Sequence, residues 1–370
     1  MIQNVNASLM EIRLRFRALF ITSGIPAMKA FIVCGLLLAN VLPAVAETEG
    51  RWIPLPHRAP EPAGNPSSPA TVALGKMLFF DPRFSETGTV ACASCHNVME
   101  GGDDHRPTSI GVHGLKGGRN APTVWNAAFL SAQFWDGRAA TLEEQAKGPV
   151  VNPVEMGMKD LAAAVARIRS IGGYRTYFEH AFGIGEVITI ENAAKAVAAY
   201  ERTLITSGNA YDRYAAGDEH ALSSQQQSGM RTFAAVGCTT CHQGPNFSGP
   251  ALPIGTPFLV KFPVYEQSPF IRAYGLEVDQ GRFESTGNEA DRHIWRVPTL
   301  RNLTYTAPYM HNGAVKSLAE AVRVMASAQL DRTLTDTEVA DIVSFLESLT
   351  GPFPAQSMPR LPPTPGDLLQ

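Results

Sequence analysis

Two pentapeptides in this sequence carry side chains that could hold a metal-bearing macrocycle: Cys92-Ala-Ser-Cys95-His96 and Cys238-Thr-Thr-Cys241-His242. Each places two thiols three positions apart with an imidazole directly after them. Two thiols at that spacing add across the two vinyl groups on one porphyrin edge, and the adjoining histidine reaches the iron from one side. C-x-x-C-H is accordingly the attachment sequence for c-type haem. A redox dithiol or half a zinc site uses the same cysteine spacing but has no need of the histidine. The chain has five cysteines. The fifth, Cys34, lies in an apolar stretch near the N-terminus, so the two motifs use all the others. An attached haem has one axial ligand fixed, and the opposite one decides its chemistry. A thioether raises the iron potential, and a second histidine lowers it.

Helices must carry these motifs. Ala70 to Phe80 has helical spacing and leads into Cys92. Ser228 to Phe233 leads into Cys238 in the same way. Gly75 with Phe79 echoes Gly229 with Phe233, which suggests an internal repeat and two related domains. Thr141-Leu-Glu-Glu144, Ser317-Leu-Ala-Glu320 and Thr335-Asp-Thr-Glu338 fit the capping-box pattern and open three further helices. The first carries Gln145. The second carries Val322 and Met325. The third puts Val339, Ile342, Val343, Leu346 and Leu349 on one face and stops at Gly351-Pro352. Ile190 to Leu204 is expected to be helical and to connect the domains. Gly244 to Tyr265, rich in Pro and Gly, is expected to be an irregular loop.

Residues 28–46 read MKAFIVCGLLLANVLPAVA, a lysine, a short apolar run and a small-residue cleavage site. That is the layout of an export signal. The expected boundaries are a signal peptide over 1–46, with Met28 as an alternative start, and an extended Pro-rich lead-in over 47–69. Domains follow over 70–205 and 206–351, with a tail over 352–370. An uncleaved anchor is the alternative to cleavage. Hydrophobic residues make up 45% and charged residues 18%, and the net charge is −3. Removing 1–46 leaves 27 Lys and Arg against 33 Asp and Glu, a net charge of −6. No basic face of the kind nucleic-acid binding needs is expected.

Longer stretches resemble the bacterial di-haem cytochrome c peroxidases over about Leu74 to Gly351. They are Gly101-Gly-Asp-Asp104, Arg119-Asn-Ala-Pro-Thr-Val124, Gln133-Phe-Trp-Asp-Gly-Arg138 and Asn152-Pro-Val-Glu-Met156. The second half adds Leu300-Arg-Asn302, Thr306-Ala-Pro-Tyr-Met-His-Asn-Gly313 and Val324-Met325.

The resemblance implies a mainly α fold of two cytochrome c-like domains, each with one covalent c-type haem. The N-terminal haem would be the peroxide site and the C-terminal haem the entry point for electrons. His96 and His242 would be the proximal ligands. His113 takes the place of a removable ligand to the N-terminal iron, with His105 as its rival in sequence. Met325 takes the place of the sulfur ligand to the C-terminal iron, with Met310 as the alternative. Glu155 matches the acid–base residue and Gln145 the glutamine near it. A carboxylate above the iron can move a proton from the bound to the leaving oxygen of peroxide. Trp135 resembles a tryptophan between the haems. Asn120, Thr306 and Pro308 match positions that bind calcium, partly through backbone carbonyls.

The function implied is a periplasmic enzyme that reduces hydrogen peroxide to water with electrons from a small cytochrome c or copper protein. Reduction of the C-terminal haem would release His113. A homodimer is implied by the resemblance alone. One rival is a related enzyme that matures a quinone cofactor on a partner protein, but such enzymes carry tyrosine where Met325 stands. The other is a di-haem electron carrier with no catalysis.

Overall fold

The computed structural model describes residues 52–364. The expected signal over 1–46 lies outside them. Among the described residues are twelve α-helices and one two-stranded sheet, and no helix is long and apolar enough to cross a membrane.

The first half of the chain holds α1 (Pro69–Phe80), α2 (Cys92–Cys95), α3 (Leu142–Val151), α4 (Leu161–Ser170), α5 (Tyr174–Phe182) and α6 (Ile190–Glu201). The second holds α7 (Ala210–Ala215), α8 (Ser224–Val236), α9 (Pro269–Tyr274), α10 (Phe283–Thr286), α11 (Leu318–Leu330) and α12 (Asp336–Glu347). Strands β1 (Leu259–Lys261) and β2 (Ile294–Arg296) pair antiparallel, with Val260 opposite Trp295. The Pro/Gly-rich stretch therefore contains a short strand as well as loop.

The two echoing glycines have one task. α1 crosses α6 so closely that a Cβ on Gly75 would lie 1.8 Å from the Ala196 carbonyl oxygen. α8 crosses α12 in the same way, and a Cβ on Gly229 would lie 1.8 Å from the Asp341 carbonyl oxygen. Leu74, Leu78 and Phe79 fill the first crossing with Tyr200, and Phe233 fills the second with Phe345 and Leu346. Alanine at either position gains about 1 kcal/mol of helix propensity. It must also push two helix backbones apart, and such overpacking costs about 3 kcal/mol or more. Gly75→Ala and Gly229→Ala are therefore expected to lower the melting temperature of the haem-loaded protein. An unchanged melt would refute the close crossing.

Helix ends follow local chemistry, with corrections to the expectation. The capping box closes fully at α12, where Thr335 N–H donates to Glu338 Oε2 at 2.8 Å. At α3 and α11 only half of it forms. Thr141 and Ser317 do accept from the backbone. Glu144 is instead drawn to the Ala140 N–H at 2.8 Å, and Glu320 to the Tyr274 hydroxyl at 2.6 Å. α6 ends at Glu201, short of Leu204, because Asn126 claims the chain beyond it. Asn126 N–H donates to the Leu204 carbonyl at 2.8 Å, and Thr206 N–H donates to Asn126 Oδ1 at 2.9 Å.

Each end of the described chain packs on the opposite half. Trp52, in the lead-in, lies edge-on to Tyr211 and Phe345, with centroids 6.3 and 5.9 Å apart. Leu55 N–H donates to Asp212 at 2.8 Å. The same aspartate holds the fully buried Arg301 at 2.7 Å. After α12 the chain returns to the first half. Phe353 meets Trp125, Gln356 accepts from the Tyr200 hydroxyl at 3.0 Å, and the Pro362 carbonyl accepts from Arg83 at 3.0 Å.

Candidate functional site

Each C-x-x-C-H motif opens onto a cavity. The first has about 1480 Å³ of empty space and is lined by Cys95, His96, Trp135, Gln145, Glu155 and Glu201 among others. The second has about 1650 Å³ and is lined by Cys238, Cys241, His242, Trp135, Met310 and Met325 among others. α2 is one turn made of Cys92 to Cys95, and a 3₁₀ turn spans Cys238–Thr240, so each pair of thiols shares one face.

The residues present fit a covalently attached haem in each cavity. His96 Nδ1 lies 3.3 Å from the Gly102 carbonyl, and His242 Nδ1 lies 2.9 Å from the Phe247 carbonyl. A histidine that ligates a metal has its other ring nitrogen held in this way. Burial pushes both imidazoles down, toward the neutral form that binds metal. Among the described residues the four cysteines form no disulfide. Burial, aided by the Glu201 carboxylate, pushes Cys92 up to about 12, and burial pushes Cys238 to about 12 as well. A redox dithiol needs the opposite shift.

The cavities are built from matching parts, a repeat more extensive than the glycine echo suggested. Thr123, Asn126, Gln133, Phe134, Gly137, Ala139 and Thr141 each have a counterpart 176 positions later: Thr299, Asn302, Tyr309, Met310, Gly313, Val315 and Ser317. Thr123 and Thr299 hydroxyls each accept from the backbone N–H two residues on, at 3.1 Å in both cases. Asn126 and Asn302 are both left-handed, at φ 62 and 63, and both side chains donate to Thr206. Gln133 bridges Ala139 as Tyr309 bridges Val315. Phe134 and Met310 share a positive φ, as do Gly137 and Gly313. The signal lay in the pair Pro-Thr-Val-Trp-Asn and Pro-Thr-Leu-Arg-Asn.

This register exposes the difference between the cavities. Met325 lines the second cavity from α11, and its counterpart on α3 is Pro149, which lines the first. A proline side chain has no donor atom for a metal. It also lacks the N–H that would continue the helix. α3 runs on to Val151, and the chain then doubles back. Asn152 and Met156 N–H both donate to the Pro149 carbonyl, and Met158 N–H to the Val150 carbonyl at 2.9 Å. The turn so formed lays Glu155 on the cavity wall.

Glu155 is tied on several sides. Its Oε1 accepts from Asn152 Nδ2 at 2.7 Å. Its carbonyl accepts from the Val112 N–H at 2.8 Å, and a Cβ on Gly111 would strike the Val154 and Glu155 backbones at 2.2 and 2.4 Å. Burial raises its pKa, and the Arg138 charge and the Asn152 amide oppose the rise. Arg138 itself is held by Asp136 at 2.9 Å and lies over the Phe134 ring. A carboxylate serving as base is lost as pH falls through its pKa. Arg138→Gln removes the opposing charge, so the acid limb of kcat/KM is expected to move to higher pH. A pH–rate profile with an unmoved limb would exclude Arg138 from this role.

The other expected residues fall as follows. Gln145, on α3, lines the first cavity. Trp135 and Asn120 line both cavities, and Trp135 Nε1–H donates to the Asn120 carbonyl at 2.9 Å. His113 stands apart from both. It is exposed in a short 3₁₀ turn at φ 57, with Nε2 3.1 Å from Glu86 Oε2. The expected removable ligand thus sits outside the cavity, on the segment whose backbone is bonded to Glu155. His105 is a surface histidine beside Glu100. Asn120, Thr306 and Pro308 all lie along the second cavity, and Asn120 Nδ2 donates to the Arg106 carbonyl. Among the described residues no cluster of three His, Cys, Asp or Glu could hold a metal.

Sequence reasoning missed Arg138, Pro149 and Glu201. Glu201 lines the first cavity, its Oε2 is buried without a partner, and burial pushes its pKa up to about 8. An acidic residue between Tyr200 and Leu204, both facing the core, was the available signal.

A family model described as di-haem cytochrome c peroxidase matches residues 69–220. The cytochrome c551 peroxidase of Pseudomonas aeruginosa is 43% identical over 84% of this chain and 87% of its own length. The methylamine utilization protein MauG of Methylorubrum extorquens is 35% identical over 83% of this chain and 86% of its own length. A crystal structure of a MauG-like protein associated with microbial copper homeostasis superposes with a TM-score of 0.69 at 29% identity, covering 81% of this chain and 94% of that one. Identity at this level, over most of both partners, means that the chain belongs to the di-haem cytochrome c peroxidase family.

Proposed function

We propose that the protein is an exported peroxidase that reduces hydrogen peroxide to water with electrons from a small cytochrome c or copper protein. The observation that carries this reading is the pairing of Met325 with Pro149. One cavity has a thioether where the other has a side chain that cannot bind metal, with Glu155 beside it. When bound, the haems supply an iron open to peroxide in the first cavity and an electron store of high potential in the second.

The chain's own residues then do the following. Cys92, Cys95 and His96 hold one haem, and Cys238, Cys241, His242 and Met325 hold the other. The ring N–H groups of His96 and His242, tethered to backbone carbonyls, fix the tautomer that leaves the far nitrogen as the ligand. Glu155 accepts a proton from bound peroxide and returns it to the departing oxygen. Gln145 orients the peroxide. Asn152 and Arg138 oppose the rise that burial imposes on the pKa of Glu155. Trp135, shared by the two cavity walls, lies on the route for electrons between them. Asn120, Thr306 and Pro308 would hold a calcium ion through oxygen atoms. Residues 70–205 and 206–351 form the two haem domains, and two copies form a dimer.

The maturation rival needs a tyrosine as ligand. Tyr309 lines the second cavity, but its hydroxyl is engaged with the Leu303 carbonyl at 2.7 Å. The test is to titrate the holo-protein with reductant, follow both haems by absorption, and measure turnover with peroxide and a reduced cytochrome c at each poise. Turnover appearing once the second haem is reduced supports the reading. A long-lived oxidised state that consumes no donor would overturn it.

A further inference from the structure

We propose that Trp125 and Tyr305 form an exit by which oxidising equivalents leave the first cavity for the protein surface when no electron donor is present. This rests on the peroxidase reading above.

The route starts at His96. Its Nδ1 lies 3.3 Å from the Gly102 carbonyl, which also accepts from the Val124 N–H at 3.1 Å. A Cβ on Gly102 would lie 2.6 Å from Trp125 Cδ1, so the indole edge rests on the residue that holds the proximal histidine. Trp125 is 0% exposed and belongs to the core cluster against which Cys92 and Phe353 pack. The Phe353 ring is 5.0 Å from the Trp125 ring and 5.2 Å from the Tyr305 ring, edge-on to both. Tyr305 is 48% exposed. Its backbone presses on the loop after the first C-x-x-C-H, since a Cβ on Gly101 would fall 2.2 Å from the Tyr305 carbonyl oxygen.

The side chains have the right chemistry in the right order. Indole and phenol lose an electron more readily than other side chains apart from thiols. The benzene ring between them keeps continuous contact without being oxidised itself. Trp125 Nε1 is buried with no hydrogen-bond partner. With no protein base within hydrogen-bond reach to take the indole proton, a hole on Trp125 remains a cation and passes on. At Tyr305 the phenolic proton can enter water, so the hole settles there as a neutral phenoxyl radical. Each transfer moves one electron from Tyr305 through Trp125 to the first cavity and releases one proton. One such transfer supplies one of the two electrons that one hydrogen peroxide consumes, with two protons, in becoming two waters, and the electron store of the second cavity supplies the other. Trp135 leads the other way, to the second cavity, so it serves turnover and not escape.

The experiment treats the holo-protein with excess hydrogen peroxide and a nitroso spin trap, with and without reduced cytochrome c. Adducts are mapped by peptide mass spectrometry, and turnover with donor is measured in parallel. The expected result is an adduct at Tyr305 that donor suppresses, that Tyr305→Phe abolishes, and that Trp125→Phe reduces several-fold. Tyr305→Phe should retain full turnover with donor and lose its haem absorption faster without it. Adducts confined to other residues, or an undiminished Tyr305 adduct in folded Trp125→Phe, would overturn the proposal. Turnover without a Tyr305 adduct sinks this inference alone, whereas absence of turnover with donor sinks the peroxidase reading.

Discussion

The Glu155→Gln holo-protein is expected to turn peroxide over about 10²–10⁴-fold more slowly than its parent, the range ascribed to a positioned general acid–base group. The substitution keeps size and shape. Glutamine can still accept from Asn152, whose Nδ2 lies 2.7 Å from Glu155 Oε1, so the turn after α3 should stand. What is lost is a group that exchanges a proton. The loss should therefore appear in kcat and kcat/KM together, as for an interaction made only in the transition state. Haem content by mass and the melting curve should match the parent. A variant that keeps its haems and loses less than about 10-fold would remove Glu155 from the chemistry.

Pro149→Met is expected to close the first cavity and reduce turnover to background. The shared register sets this methionine at the position on α3 that Met325 holds on α11, each eight residues after a hydroxyl N-cap, Thr141 or Ser317. Removing a proline from a helix interior relieves a penalty of about 3 kcal/mol, so the fold should tolerate the change. The readout is the absorption of the first haem, expected to become that of an iron with a sulfur ligand, together with failure to bind added small ligands. Pro149→Ala is the control. It removes the ring without offering sulfur and should retain most of the activity. Equal losses in the two variants would assign the effect to the turn and refute the equivalence.

Much of this site was legible because C-x-x-C-H is a contiguous motif that can be read without knowing the fold. The two C-x-x-C-H motifs located both cavities, and Gly75 and Gly229 pointed to an internal repeat, though not to the helix crossings that require them. Capping was read less well, since an N3 glutamate goes to whichever donor lies closest, as Glu144 and Glu320 do. The boxed ends at Ser68–Thr71 and Ser223–Gln226 were passed over. Pro149 was invisible because its meaning depends on alignment with Met325 across distant segments. Glu201 acts through burial and Arg138 through the nearness of its charge to Glu155, neither of which a linear string displays. The outward position of His113 is accompanied by a contact with Glu86, 27 residues away in sequence, that no local pattern encodes.

The crossed packing of the two chain ends bears on how the molecule is made. Tyr200, Arg83 and Trp125 of the first half receive further neighbours from residues 353–362, which the ribosome adds after all twelve described helices. The part begun earliest is thus finished latest. Until those residues arrive, Trp125 and Tyr200 lack the partners that close their outer faces, so the packing of the first half is completed only by the chain that follows the second.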